Sequence, residues 1–176
     1  MLRLRPYKPG DAGYLMDWLK DERTVRLWRA DRFSYPLTKE QLEQYWEDFL
    51  SDDNAWIFLA VDEKGNPCGH FSFRRVDYAK NSAHMGFIVV NPMERGKGYG
   101  REMVTLALRY AFDILRVERV TLGVFTVNEA AHRCYLSVGF KDEELHRDYD
   151  CFNGEPWDYR DMAAVREDFK GAAVPV

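Results

Sequence analysis

The stretch from Met85 to Gly100 constrains this chain more than any other. Met85-Gly86-Phe87-Ile88-Val89-Val90 is an unbroken apolar run of strand length, which predicts a strand buried on both faces. Asn91-Pro92 ends it, because proline has no N–H to donate to a ladder. Arg95-Gly96-Lys97-Gly98-Tyr99-Gly100 comes next, and Met103, Ala107, Tyr110, Ala111 and Ile114 then recur with the period of a helix from about Gly98 to Leu115. A strand turning into a helix across three glycines leaves the first helical N–H groups uncovered. Without Cβ atoms the backbone can adopt positive φ and approach a ligand closely. The bare amides and the helix dipole then suit an anion, and Arg95, Lys97 and Arg101 add positive charge. An ordinary tight turn has the same letters, so the glycines alone leave both readings open.

Two other phosphate motifs are excluded by spacing. A P-loop needs Ser or Thr after Gly-Lys, and here Gly98 follows Lys97. The dinucleotide fingerprint Gly-x-Gly-x-x-Gly fails because the third glycine, Gly100, arrives one residue early.

Around this unit the chain reads as one domain over residues 1–170 with a frayed tail from 171 to 176. Leu2 to Pro6 alternates like a half-buried strand. A first helix opens at Gly10-Asp11, with Asp11 as N-cap and Leu15, Trp18 and Leu19 on one face. Asp21 to Arg29 is polar and reads as irregular. Thr38 and Gln41 form a capping box for a helix with Leu42, Tyr45, Trp46 and Phe49 on its face. Strands follow at Trp56 to Val61, Gly69 to Val76 and Ala83 to Val90. After the glycine turn and its helix come a strand at Val120 to Val127 and a helix at Glu129 to Val138 closed by Gly139. Two last strands, Phe140 to Asp150 and Trp157 to Val165, are joined by the hairpin signal Asn153-Gly154. The order β-α-α-β-β-β-α-β-α-β-β is that of a mixed α+β domain.

Composition narrows the class. The net charge of −4 over 176 residues disfavours nucleic acid, which calls for a basic patch. Three cysteines, Cys68, Cys134 and Cys151, are widely spaced and form no CxxC pair, so neither a disulfide framework nor a metal site is signalled. No apolar run approaches the ~20 residues of a membrane span. The expectation is a cytoplasmic protein without membrane contact.

The pattern Arg-x-x-Gly-x-Gly after a strand ending Val-Asn-Pro resembles motif A of the GNAT superfamily of N-acetyltransferases. Downstream, Asn128-Glu129-Ala130-Ala131-His132-Arg133-Cys134-Tyr135 with Val138-Gly139-Phe140 is similar to that family's motif B. Two motifs in order are far more specific than either alone. The chain's start, Leu4-Arg5-Pro6 through Leu27-Trp28, and its end, Asn153-Gly154 to Asp168, resemble the branch containing the ribosomal-protein N-terminal acetyltransferases.

The resemblance implies a twisted, mostly antiparallel sheet of about seven strands with about four flanking helices. It implies acetyl-CoA as cosubstrate, no metal, and direct transfer to a primary amine such as a protein N-terminus. A polyamine, an aminoglycoside-type amine or a non-catalytic acyl-CoA sensor are the alternatives, and homodimers are common in the resembled branch. The backbone at Ile88, Val89 and Val90 would bind the pantetheine arm, and Arg95, Gly96, Lys97, Gly98, Tyr99, Gly100 and Arg101 the pyrophosphate. Asn128 would contact the cofactor near the thioester, and Tyr135 would protonate the departing thiolate. Taken singly, Asn128 is an N-cap and Tyr135 a core aromatic. Many family members carry a glutamate base where this chain has His84, and others an acid where it has Gly123. His84 is therefore either the base, with an ordinary pKa of ~6.5, or a histidine paired for structure. His70, His132 and His146 read as structural or surface residues. Asp21, Glu22, Trp28, Tyr35, Asp148, Asp150 and Trp157 fall in the regions where the family's acceptor lies.

Overall fold

The computed structural model describes residues 1–29 and 32–170. The expected tail at 171–176 lies outside the described residues. Seven strands form one sheet: β1 (Arg3–Pro6), β2 (Trp56–Val61), β3 (Pro67–Asp77), β4 (Ser82–Val90), β5 (Arg119–Phe125), β6 (Lys141–Phe152) and β7 (Glu155–Val165). Their spatial order is β1-β2-β3-β4-β5-β7-β6. Only β4 and β5 run parallel; every other neighbouring pair is antiparallel. The parallel pair follows from topology, since a helix crosses between the two strands.

The α-helices are α1 (Ala12–Trp18), α2 (Glu22–Arg29), α3 (Lys39–Leu50), α4 (Tyr99–Arg109) and α5 (Glu129–Val138). Helix α4 runs on through a π-helical turn, Tyr110–Leu115, and ends at Arg116 with φ 57°. The sheet divides two cores. One joins α1, α2 and α3 to the sheet through Leu15, Trp28, Leu42, Tyr45 and Phe87. The other joins α4 and α5 through Met103, Ala107, Phe112, Tyr135 and Phe140.

Three local expectations are corrected. Residues 22–29 are helical: Asp21 accepts from the Thr24 N–H at 2.8 Å and from its hydroxyl at 2.6 Å, and Val25 and Trp28 bury one face. An eight-residue helix with Val25 and Trp28 its only buried residues among those described is too short to show a period against four charged residues. Asp11 stands at the N-cap of α1, but its side chain makes no capping bond there. Its carboxylate is buried against Arg5, with two contacts of 2.7 Å, and accepts from the Lys8 N–H at 2.8 Å. The capping box on α3 is half made. Thr38 accepts from the Gln41 N–H at 3.3 Å, but the Gln41 side chain reaches back to Ser34 and Pro36 instead.

The hairpin Asn153-Gly154 has positive φ at both residues, 50° and 81°, the geometry of a tight turn matching strand twist. Gly139 closes α5 at φ 114°. All three cysteines are unpaired. Among the described residues no helix is long and apolar enough to cross a membrane.

Candidate active site

The site begins with a defect in β4. Strand β3 pairs Ser72 with Gly86 and His70 with Val89, so β4 carries one residue more than its partner across this step. The surplus is absorbed at Phe87, whose φ is 51°. Such a bulge shifts the side-chain alternation. Met85 joins the α4 core, Phe87 and Val89 join the opposite core, and Ile88 and Val90 return to the α4 side. The apolar run is therefore not buried on both faces; alternate residues of β4 stay half-buried, those after the bulge lining a groove.

Buried polar groups hold the bulge. His70 is fully buried, and its Nδ1 lies 2.8 Å from the Phe87 carbonyl. A carbonyl can only accept, so Nδ1 carries the proton and Nε2 accepts from the Tyr45 hydroxyl at 3.3 Å. Burial keeps this imidazole neutral, pushing its pKa down to about 4. The Ser72 hydroxyl donates to the Gly86 carbonyl at 3.2 Å. Already before the bulge, from Met85 on, β4 and β5 stop pairing: they pair only from Ser82–His84 to Arg119–Thr121. The gap holds two cavities.

The larger, about 590 Å3, follows β4 from Ile88 to Val90 and reaches the glycine turn. Gly96 and Gly98 take φ of 78° and 83°, which is why glycine is required there. A Cβ at either would meet no atom within 4 Å, so the space over the turn is open. Gly98 is the N-cap of α4, and the N–H groups after it have no acceptor within the helix. An apolar channel ending in bare amides and Arg95 and Arg101 fits a long thiol ester carrying a pyrophosphate. Lys97 departs from expectation: its ammonium pairs with Glu94 at 2.8 Å, and its residue lies off the groove wall.

The smaller cavity, about 420 Å3, lies between β4, β5, β7 and α2. His84 stands on its wall with Nδ1 2.9 Å from the Thr121 hydroxyl. Tyr149 and Tyr159 stack at 4.6 Å across the same wall. Arg26 of α2 reaches Asp150 through Nε at 2.7 Å, clasping the helix to β6. The Arg26 guanidinium holds the Asp150 carboxyl below the usual carboxylate range.

The two cavities meet. Leu27, Trp28, Ile88, Asn128 and Tyr135 line both. Tyr135 lies on α5 with its ring buried and edged by Phe140 at 6.0 Å. Burial raises its phenol well above the ordinary value, so it keeps its proton at neutral pH. Asn128 is the N-cap of α5: its Oδ1 accepts from the Ala131 N–H at 3.3 Å, which leaves the amide NH2 as the group it can offer a ligand.

The structure thus brings Asn128, Tyr135, Ile88, Val89, Val90, Arg95, Gly96, Gly98, Tyr99, Gly100 and Arg101 to one groove and His84 to the adjoining cavity. Two of the four acidic residues suggested for the acceptor are occupied, and so is Tyr35. Asp21 caps α2, Asp150 is paired, and Tyr35 donates to the Lys20 carbonyl at 3.0 Å. Trp157 is fully buried beneath the Arg23 guanidinium, 4.8 Å from its ring. The remaining histidines are structural: His132 meets Asp142 at 2.8 Å, and His146 meets Asp161 at 2.7 Å. Glu144, His146 and Asp161 cluster within 4.8 Å on the outer hairpin, away from both cavity walls. Sequence reasoning missed Leu27, which roofs the junction, and Tyr159. A polar prelude to α2 hid the first, and a strand tyrosine far from either motif carries no local signal.

The model of the GNAT acetyltransferase domain matches residues 1–141. A spermidine N(1)-acetyltransferase of Vibrio cholerae is 25% identical over 142 residues, 81% of this chain and 80% of that protein. An uncharacterized N-acetyltransferase of the SPbeta prophage in Bacillus subtilis is 28% identical over 169 residues, 96% of this chain and 92% of that one. The structure of a Vibrio cholerae spermidine N-acetyltransferase in complex with CoA and spermine superposes with a TM-score of 0.84 at 24% identity, over 95% of this chain and 96% of the other. That likeness concerns the fold, and the seven-stranded mixed α+β architecture matches. The open glycine turn, the parted strands and the domain match agree: the chain belongs to the GNAT family and is an acetyl-CoA-dependent N-acetyltransferase.

Proposed function

We propose that the acceptor is a small-molecule primary amine, polyamines first, and that Asn128, Tyr135 and His84 serve the transfer. The observation that carries this is the junction: a cofactor-shaped groove and a second cavity share Asn128 and Tyr135. The relatives named as spermidine acetyltransferases, from Vibrio cholerae and from Escherichia coli, support a small amine over a protein N-terminus. The ribosomal-protein branch rests on the two chain ends alone.

Acetyl-CoA supplies the acyl group and the thiolate leaving group. The amides of Gly96 to Arg101 take the pyrophosphate, with Arg95 and Arg101 beside it. Strand β4 from Ile88 to Val90, unpaired with β5, offers its backbone to the pantetheine arm as to an added strand. The Asn128 amide donates near the thioester. His84 stands where the attacking nitrogen enters and takes its proton as the N–C bond forms; the C–S bond breaks and Tyr135 gives its proton to sulfur. A polyamine nitrogen with a pKa near ~10.4 needs such an acceptor more than an α-amine at ~8 does. Positioning and proton transfer carry the catalysis, with no acyl-enzyme.

The test is thiol release from acetyl-CoA with spermidine, spermine, an aminoglycoside and a peptide with a free N-terminus. Turnover of the small amines, with the peptide silent, is expected. Turnover of the peptide alone would restore the protein N-terminus, and tight acetyl-CoA binding without turnover of any amine would make the chain a sensor.

A further inference from the structure

We infer that Tyr159 is a specificity-determining residue that holds the acceptor nitrogen, its hydroxyl filling the place above Gly123 that a side chain on β5 would otherwise take. The inference rests on the reading that the acceptor enters the smaller cavity.

Three observations carry it. First, Gly123 and Tyr159 are complementary. A Cβ built on Gly123 would overlap the Tyr159 hydroxyl and its ring, so the glycine is required by the tyrosine rather than by the backbone. Gly123 faces Asp161 across the β5–β7 ladder, and Tyr159, two residues earlier, leans back over it. Second, the hydroxyl lies among the groups proposed for the reaction. Tyr159 shares the cavity wall with His84, Asn128 and Tyr135. Thr121, which holds His84 at 2.9 Å, is two residues before Gly123 and therefore on the same face of β5. Third, the ring cannot wander. It stacks on Tyr149 at 4.6 Å and meets the edge of Phe125 at 5.2 Å. A phenol fixed by aromatic packing presents its oxygen at one point, with little ordering left to do when a substrate arrives.

A neutral hydroxyl at this point selects differently from a carboxylate. It can accept from an ammonium or amine N–H and donate to a lone pair, so it orients a nitrogen without trapping it as a cation. It leaves proton removal to another group, which suits the division of labour with His84.

The experiment is steady-state kinetics of Tyr159→Phe with spermidine as the probe and acetyl-CoA held saturating, then the reverse. Loss of one hydrogen bond predicts a rise of about 5- to 30-fold in KM for spermidine. The KM for acetyl-CoA and the melting temperature should stay unchanged, since the ring and its stack remain. A purely structural tyrosine would move both substrates or neither. An unchanged KM for spermidine in Tyr159→Phe overturns the inference. If the wild-type protein does not turn over spermidine, the polyamine part of the acceptor reading fails, and Tyr159 is tested by the slow release of thiol with water as acceptor. Tyr159→Phe should lower that rate several-fold at unchanged acetyl-CoA KM, and an equal rate overturns the inference. A partner measurement checks the steric premise: Gly123→Ala should lower the melting temperature in the wild type and leave it unchanged in a Tyr159→Ala background. Equal loss in both backgrounds would show that the tyrosine does not occupy that space.

Discussion

The two ends of the cleft are built from different material. At the cofactor end the chain uses backbone: two left-handed glycines, the bare start of α4 and the edge of β4. At the end proposed for the acceptor it uses side chains from β4, β5, β6, β7 and α2, locked by an aromatic stack and an Arg26–Asp150 pair. Backbone recognition suits a ligand that never changes, because a carbonyl or an amide cannot be substituted. Side-chain recognition suits an acceptor that differs between relatives, because each wall can be altered alone. The difference teaches where to look for specificity: not in the turn, but in the strands that face it.

The junction should break first. Tyr135→Phe removes the proposed acid and should lower kcat by about 10²- to 10³-fold, at near-constant acetyl-CoA affinity. Rapid-mixing measurement of thiol release separates the two, and an unchanged kcat would remove Tyr135 from the chemistry. Because burial raises this phenol, kcat should also show no alkaline limb from it below about pH 10.

The floor beneath both ends is His70. Its folded pKa of about 4 lies below the unfolded ~6.5, so between those values the unfolded chain binds the extra proton. Stability should therefore fall as pH drops from about 6.5 towards 4, by up to roughly 3 kcal/mol. Urea titrations across that range check it, and His70→Asn should flatten the slope. A slope unaltered by the substitution would mean that another group titrates there.

The contrast between ends is sharpened by Gly98→Ala. Forcing a side chain to φ 83° costs about 1–2 kcal/mol, so the KM for acetyl-CoA should rise about 5- to 30-fold while that for the amine stays put. The smallest effect is expected from Arg26→Ala. Freeing α2 from Asp150 should cost about 1 kcal/mol and raise the acceptor KM several-fold, leaving acetyl-CoA binding nearly intact. If Arg26→Ala instead damaged both substrates equally, α2 would belong to the whole cleft.

The same division explains what could be read in the sequence. The glycine turn, Asn128 and Tyr135 lie on two short local segments, so their spacing survives as a motif. The succession of the seven strands along the chain, the Gly139 cap and the Asn153-Gly154 hairpin were legible for the same reason. The acceptor wall was not. Arg26 meets a residue 124 positions away, and Tyr159 fills a void at Gly123 from another strand. Asp150 looked like a place for a cation until its partner was seen. The bulge at Phe87 is invisible because an apolar run has the same letters whichever core each residue enters. Helix α2 was hidden because a two-turn helix with charged neighbours has no period to show.

That bulge also bears on how this strand can drift. The two halves of β4 are out of phase with each other, so the strand tolerates exchange of one apolar residue for another more readily than a change in its length. Deleting the surplus residue, Gly86 or Phe87, would restore regular pairing with β3 and straighten the strand, with Ile88 and Val90 still on the α4 side and Val89 still against α1, α2 and α3. One codon lost there would do what no single substitution does: remove the bend in β4 while leaving each apolar residue in the core it already enters.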